Sequence, residues 1–93
     1  MQTEKEQLYA LLTGLTSNEI GINEFTNKLI KIFDLEIDYD ELTEEEYRLL
    51  GEVSDMSARF SDSLEDLKLP NVYYSEDQIR SEVDKVLKVL VRN

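Results

Sequence analysis

The chain has 93 residues, of which 21 are acidic and 10 are basic, so its formal net charge at pH 7 is −11. It contains no cysteine and no histidine, which excludes disulfides, thiolate metal sites and the most common general base. A negative charge of this size repels nucleic acids and anionic membranes and attracts cationic protein surfaces.

Four segments of the chain carry apolar residues at helical spacing, which predicts four amphipathic helices. They cover residues 3–15, about 22–34, 43 to about 60, and 75 to about 92. Three of these segments begin with a pair of residues at capping-box spacing, namely Thr3 with Glu6, Thr43 with Glu46, and Ser75 with Gln78. The length of the chain and of its connections predicts a single domain, an all-α antiparallel four-helix bundle.

The apolar stripes of the four helices are predicted to form one core. They consist of Leu8, Leu11, Leu12, Leu15, Ile22, Phe25, Leu29, Ile32, Phe33, Leu49, Leu50, Val53, Met56, Phe60, Ile79, Val83, Val86, Leu87 and Leu90. No apolar run is long enough to span a bilayer and no secretory signal opens the sequence, so we expect a cytoplasmic protein that does not contact a membrane.

The connection from Asp34 to Glu46 is rich in acidic residues and has no basic one. We predict an extended segment whose apolar residues, Leu35, Ile37 and Tyr39, pack under the bundle. Its acids also match the ligand spacing of a calcium loop at Asp34, Glu36, Asp38, Asp40 and Glu45. The position that requires glycine for the sharp turn is occupied by Tyr39, so we predict no EF-hand.

The third helix carries charged residues at steps of three and four, which predicts a polar stripe turned away from the core. The stripe consists of Glu45, Arg48, Glu52, Asp55, Arg59 and Asp62. Acidic residues continue beyond it to Gln78, where Arg59 and Lys68 are the only bases after Glu52. Two interpretations remain open at this point, a solvated helix face paired within itself and a surface that meets a basic partner.

Pro70 and Asn71 are expected to end any helix after Leu67. Val72, Tyr73 and Tyr74 would then be extended. One tyrosine ring is able to cover the end of the bundle, and an exposed one would serve as an interface anchor, because tyrosine combines a large apolar area with a hydroxyl.

No catalytic residue, metal or cofactor is predicted, because the chain lacks histidine, cysteine and tryptophan and has no glycine-rich phosphate loop. We therefore expect a protein that is not an enzyme. The run Asp62-Ser63-Leu64-Glu65 is similar to the phosphopantetheine attachment motif of acyl carrier proteins. Pro70 would stop a helix that begins at Ser63 within two turns, whereas the carrier fold needs a long helix there.

Several short motifs together resemble the colicin D-type immunity proteins, a family that includes immunity proteins of contact-dependent growth inhibition systems. In chain order they are Ile22-Asn23-Glu24-Phe25, Leu42-Thr43-Glu44-Glu45, Arg59-Phe60, the acidic stretch Asp62 to Asp66, and Tyr74-Ser75-Glu76-Asp77. The resemblance extends from Leu8 to Leu90. It departs from the family pattern at Ala58 and Ser61, which stand where acidic residues are expected.

This resemblance implies a four-helix bundle that binds the nuclease domain of a cognate toxin one to one. In the colicin D case the toxin cleaves tRNA, and carboxylates of the immunity protein take the place of RNA phosphates. The toxin-binding residues expected here are Glu52, Asp55, Arg59, Asp62, Glu65, Asp66, Tyr73, Tyr74 and Glu76. Of these, Asp55, Asp62, Glu65 and Asp66 would replace phosphates, whereas Arg59 would hold its acidic neighbours or cap the third helix.

Two other functions fit parts of the sequence. The chain would also serve as an acidic adaptor or nucleic-acid mimic that regulates a basic nucleic-acid-binding protein, since the charge alone does not distinguish such a partner from a toxin. A carrier role through Ser63 is the third alternative.

Overall fold

The computed structural model describes residues 3–69 and 72–91, and within these residues the chain is helical and has no β-strand. Its helices are α1 (Glu4–Thr16), α2 (Ile22–Lys31), α3 (Glu44–Ala58), α4 (Leu64–Leu67) and α5 (Glu76–Leu90). A π-helical segment, Ile32–Glu36, continues α2, and a 3-10 turn, Tyr39–Glu41, precedes α3. No described helix has the length and apolar character needed to cross a membrane.

All three predicted capping boxes are present and set the first residues of α1, α3 and α5. At α3, for example, the Glu46 amide donates to Thr43 Oγ1 at 3.1 Å, and the Thr43 amide donates to Glu46 Oε1 at 2.9 Å. Each box satisfies two backbone donors that the first turn of a helix leaves unpaired. The sequence therefore predicts these helix starts to within one residue.

The end of α1 is fixed by a left-handed residue, Asn18, whose φ is 64°. The amide of Glu19 donates to the carbonyl of Gly14 at 2.9 Å, and the amide of Asn18 donates to the carbonyl of Leu15 at 3.1 Å. This pair of hydrogen bonds is a Schellman motif, which satisfies carbonyls at a helix end and favours glycine or asparagine at the left-handed position.

The core lies where the four long helices meet, and the predicted apolar stripes are confirmed. α1 packs against α2 and α5, and α3 packs against the same two helices. Every buried apolar residue in the described chain belongs to the predicted set. The remaining members are half-buried and pack at the edge of the core: Ile22, Met56, Phe60, Leu87 and Leu90.

The predicted extended connection is wrong over most of its length, since helical structure covers residues up to Glu36 and a 3-10 turn covers Tyr39–Glu41. The chain stays helical to Glu36 because α2 widens into the π-helical segment, in which the Ile37 amide bonds to the Ile32 carbonyl at 2.9 Å. This turn carries Leu35 outward, where 81% of its surface is exposed, so Leu35 does not pack under the bundle as predicted. Ile37 and Leu42 do pack against the core.

The chain after α3 also differs from the prediction. α3 ends at Ala58, and Phe60 instead forms an isolated parallel bridge with Tyr74. The acidic stretch Asp62 to Asp66 leads into α4, a single turn that ends at Leu67. Pro70 and Asn71, predicted to stop the helix there, lie outside the described residues.

Candidate functional site

The predicted polar stripe is exposed throughout, but its last member, Asp62, lies beyond the end of α3 at Ala58. Two ion pairs lie along it: Arg48 Nη1 is 3.8 Å from Glu52 Oε1, and Arg59 Nε is 3.6 Å from Asp55 Oδ1. Arg59, at the C-cap of α3, thus lies beside one of its acidic neighbours. Exposed pairs of this length contribute little to stability and are easily exchanged, so Glu52 and Asp55 remain accessible to another cation.

Beyond α3, the carboxylates of Asp62 and Glu65 are exposed, and neither has a hydrogen-bond or ion-pair partner among the described residues. An unpaired surface carboxylate loses nothing inside its own chain when it binds a cation. Among the acidic residues that were predicted to bind a toxin, Asp62 and Glu65 are therefore the two whose carboxylates are most available to a cation.

Asp66 and Glu76 are half-buried and already have partners. Asp66 Oδ2 accepts a hydrogen bond of 2.8 Å from the Ser61 hydroxyl, and that hydroxyl accepts one of 3.1 Å from the Ser63 amide. Glu76 Oε2 accepts from Arg80 Nε at 2.7 Å. Asp66 therefore stabilises the turn before α4. Ser61, which stands where the resemblance led us to expect an acidic residue, is the residue that engages it.

Arg80 was not singled out from the sequence, yet it joins two helices. Its Nη1 donates to the carbonyl of Leu15 at 2.7 Å, in the last turn of α1, while its Nε binds Glu76. A cation at the end of a helix complements both the unpaired carbonyls and the helix dipole. Glu76 thus orients Arg80, which leaves its carboxylate less available to a partner than those of Asp62 and Glu65.

Tyr73 and Tyr74 are both half-buried rather than fully exposed. Tyr74 packs against the core, its amide donates to the Arg59 carbonyl at 2.9 Å, and its carbonyl accepts from the Ser61 amide at 3.0 Å. Tyr74 is therefore held by its backbone and packs against the core, which leaves its role and that of Tyr73 in contacting a partner as predictions.

Five of the nine residues that were predicted to bind a toxin line one of two surface grooves. The first, which we call the aromatic groove, has a volume of about 650 Å³ and includes Glu52, Asp55 and Tyr74 in its lining. The second, which we call the acidic groove, has a volume of about 440 Å³ and includes Phe60, Asp62, Glu76 and Asp77. The remaining predicted residues line neither of these grooves: Arg59, Glu65, Asp66 and Tyr73.

The aromatic groove takes its name from three rings that come from three different elements. The ring centroids of Phe33 and Tyr39 are 5.3 Å apart, those of Phe33 and Tyr47 are 6.0 Å apart, and those of Tyr39 and Tyr47 are 5.1 Å apart. Tyr39 was expected to pack beneath the bundle, but 43% of its surface is exposed. The association of the three rings was not predicted, because only the π-helical segment and the 3-10 turn bring Tyr39 over the other two rings.

The buried carboxylate of Glu46 was identified from the sequence only as a capping residue. The hydroxyl of Tyr9 donates to Glu46 Oε2 at 2.6 Å, and Lys5 Nζ lies 3.1 Å from Oε1. Burial raises the pKa of Glu46, but the hydrogen bonds from Thr43 and Tyr9 and the charge of Lys5 outweigh it, so the pKa lies below its ordinary value. Burial and the same bond raise the pKa of Tyr9.

The acids with calcium-loop spacing do not converge. Asp34 Oδ1 accepts from the Ser54 hydroxyl at 3.3 Å, and Asp38 Oδ1 accepts from the Asp40 amide at 2.9 Å. Residues 3–69 and 72–91 contain no group of three or more carboxylates placed to hold a metal ion. Ser63, the alternative carrier site, precedes a helix of only four residues.

No protein-family model, no curated protein and no solved structure matches this chain.

Proposed function

We propose that this chain is a cytoplasmic immunity protein, an antiparallel four-helix bundle of the colicin D type. It would bind the nuclease domain of a cognate tRNA-cleaving toxin one to one and close its active-site cleft with an acidic surface. The motifs described above and the net charge of −11 support the proposal. The closed ring of contacts, in which α1 and α3 each pack on α2 and α5, supports the bundle.

The observation that carries the proposal is the row of exposed carboxylates along α3 and past its end. Glu52 and Asp55 are loosely paired, and Asp62 and Glu65 have no partner among the described residues. A nuclease cleft is lined with lysine and arginine, which bind phosphates, so it focuses positive potential. Carboxylates that enter this field are steered to it rapidly and pair with its cations.

The experiment is a tRNA-cleavage assay with the toxin domain encoded next to this chain, in the presence of wild-type or variant protein. Truncating a carboxylate that faces a toxin cation should cost about 2–5 kcal/mol of binding, whereas an exposed charge outside the interface should cost less than about 1 kcal/mol. We therefore expect Asp62→Ala and Glu65→Ala to weaken inhibition far more than Glu4→Ala or Glu19→Ala.

Glu19 is the closer control, because it is exposed whereas Glu4 is half-buried, and it lines neither the aromatic groove nor the acidic groove. Equal inhibition by all four variants would show that the assigned surface is wrong. A toxin that still cleaves tRNA while the wild-type protein is bound would contradict the proposed mechanism.

An acidic adaptor or nucleic-acid mimic remains the second candidate, because the same exposed carboxylates fit any basic nucleic-acid-binding protein. The gene neighbourhood separates the two. A toxin reading frame beside this one supports immunity, and its absence, together with binding to a basic regulator, supports the adaptor. The carrier alternative predicts one added phosphopantetheine on Ser63 in intact-mass measurements, and Ser63→Ala is its control.

A further inference from the structure

The aromatic groove combines accessible rings with a negative rim. Tyr39 is 43% exposed and Tyr47 is 50% exposed, so both rings present a large part of their surface to solvent although they contact Phe33 and each other. An aromatic patch inside a concave surface is a common feature of binding sites, since rings supply apolar area at a low cost in conformational entropy.

The charges around these rings are unbalanced. Four carboxylates line the groove and one cation accompanies them, in the set Asp34, Glu52, Asp55, Glu82 and Arg48. Arg48 lies 3.8 Å from Glu52, and the Asp55 carboxylate lies 3.6 Å from Arg59, so both contacts are long and solvent-exposed. The groove therefore has a net negative charge next to exposed aromatic faces.

We propose that the aromatic groove receives an arginine side chain of the basic partner, with its guanidinium on the ring of Tyr47 or Tyr39 and paired with Glu52 or Asp55. The inference deepens the proposed function, on which it rests for the identity of the partner as the toxin domain. A guanidinium fits this combination because it is planar, stacks on aromatic faces and binds carboxylates in a bidentate manner. Lysine is a more strongly hydrated point charge and does not stack in this way.

The groove also connects with the acidic row. Glu52 and Asp55 belong to both, and the row leads past the end of α3 to Asp62. A basic surface that covers Asp62 and Glu65 could thus extend along α3 and place an arginine among the rings. The arginine would act as an anchor at one end of the interface, and the unpaired carboxylates would form the other end.

The groove can be tested without the toxin by adding short peptides to the purified chain and following its backbone amides by two-dimensional NMR. The probe is acetyl-Gly-Arg-Gly-Arg-Gly-amide, and the controls are the same peptide with lysine or with uncharged citrulline. We expect the arginine peptide to shift the amides of Tyr39, Tyr47, Gly51 and Glu52, the lysine peptide to bind more weakly, and the citrulline peptide to have no effect.

Variants then test the rings and the rim. Tyr47→Leu retains apolar bulk against Phe33 but removes the aromatic face. We expect it to raise the dissociation constant of the arginine peptide about 2- to 5-fold. Glu52→Gln should also lower the affinity for the arginine peptide. Leu35→Ala, at an exposed residue that does not line the groove, should bind the peptide like the wild type.

The inference is overturned if the arginine peptide shifts the whole acidic surface evenly, if citrulline replaces arginine without loss, or if Tyr47→Leu and Tyr39→Leu both bind as well as the wild type. These outcomes leave the proposed function standing, provided that Asp62→Ala and Glu65→Ala still lose inhibition. Conversely, a groove that binds the arginine peptide in a protein that does not inhibit the toxin would refute the proposed function alone.

Discussion

At the scale of single residues, Glu46 is the most constrained carboxylate of the chain. Only 7% of its surface is exposed, and its oxygens meet the Thr43 amide, the Tyr9 hydroxyl and Lys5. A buried carboxylate is stable only when hydrogen bonds and an opposite charge compensate for its lost hydration. Glu46 therefore joins the start of α3 to α1 and is a stability determinant rather than a contact for a partner.

The lowered pKa of Glu46 makes its contribution depend on pH. Because the folded-state pKa lies below the ordinary value of 4.5, the stabilisation is present above that value and is lost as the pH falls through the folded-state pKa. We predict that Glu46→Gln lowers the free energy of unfolding by about 1–3 kcal/mol near neutral pH. The difference from the wild type should shrink as the pH falls to about 3.

Urea unfolding of both proteins at several pH values measures this difference. Glu45→Gln is the matched control, because Glu45 is the exposed neighbour of Glu46 in the first turn of α3. Its effect on the free energy of unfolding near neutral pH should be smaller than that of Glu46→Gln. A difference between wild type and Glu46→Gln that stays constant or grows in acid would contradict the assignment.

At the scale of the elements, helix boundaries follow from local chemistry. A side chain that accepts from the third amide of a helix fixes the start of α1, α3 and α5, and the left-handed Asn18 fixes the end of α1. These devices act within a few residues of one another, so they are readable from the sequence. The π-helical segment has no comparable local signature, because it arises where α2 packs against its neighbours.

The capping box of α5 gives a prediction at this scale. Ser75→Ala removes the hydroxyl that accepts from the Gln78 amide at 3.2 Å, and should lower the free energy of unfolding by about 0.5–2 kcal/mol. Ser81→Ala is the matched control, because Ser81 is exposed in the interior of the same helix. Alanine has the higher helix propensity there, so this variant should be neutral or slightly more stable.

Thermal or urea unfolding distinguishes the two serines. Equal effects of both substitutions would indicate that the hydroxyl of Ser75 does not support the helix start.

At the scale of the whole molecule, 21 acidic residues outnumber 10 basic ones, and the resulting net charge of −11 makes the carboxylates repel one another on a small surface. Added salt screens this repulsion over a Debye length that falls from about 30 Å at 0.01 M to about 10 Å at 0.1 M. We therefore predict that the urea midpoint of unfolding rises when sodium chloride is added over this range.

The control is a double variant with a smaller charge excess, Asp40→Asn with Glu41→Gln, at two exposed acids before α3. It should unfold at a higher urea concentration in low salt and respond less to added salt. A midpoint of the wild type that falls with salt would mean that its ion pairs, such as Lys5 with Glu46 at 3.1 Å, outweigh the general repulsion.

The face of α3 and the aromatic groove differ in how far the sequence predicts them. The exposed face of α3 was predictable, because helical periodicity alone places Glu52 and Asp55 on it. The aromatic groove was not, because Phe33, Tyr39 and Tyr47 belong to three elements whose approach depends on tertiary packing. The partner of Asp66 was hidden because it depends on the turn before α4, whereas the pair of Glu76 with Arg80 has i,i+4 spacing within α5 and was readable from helical periodicity although it was not predicted.

The bridge between Phe60 and Tyr74 separates a surface segment from the scaffold of the helices. Two backbone hydrogen bonds hold the ends of the segment 61–73 together, and none of its described residues contributes a side chain to the core. The two ends of the segment are thus held together by backbone hydrogen bonds that do not depend on the side chains between them. Its acids can be rearranged, or its length altered at a small entropic cost, while the scaffold beneath keeps its shape.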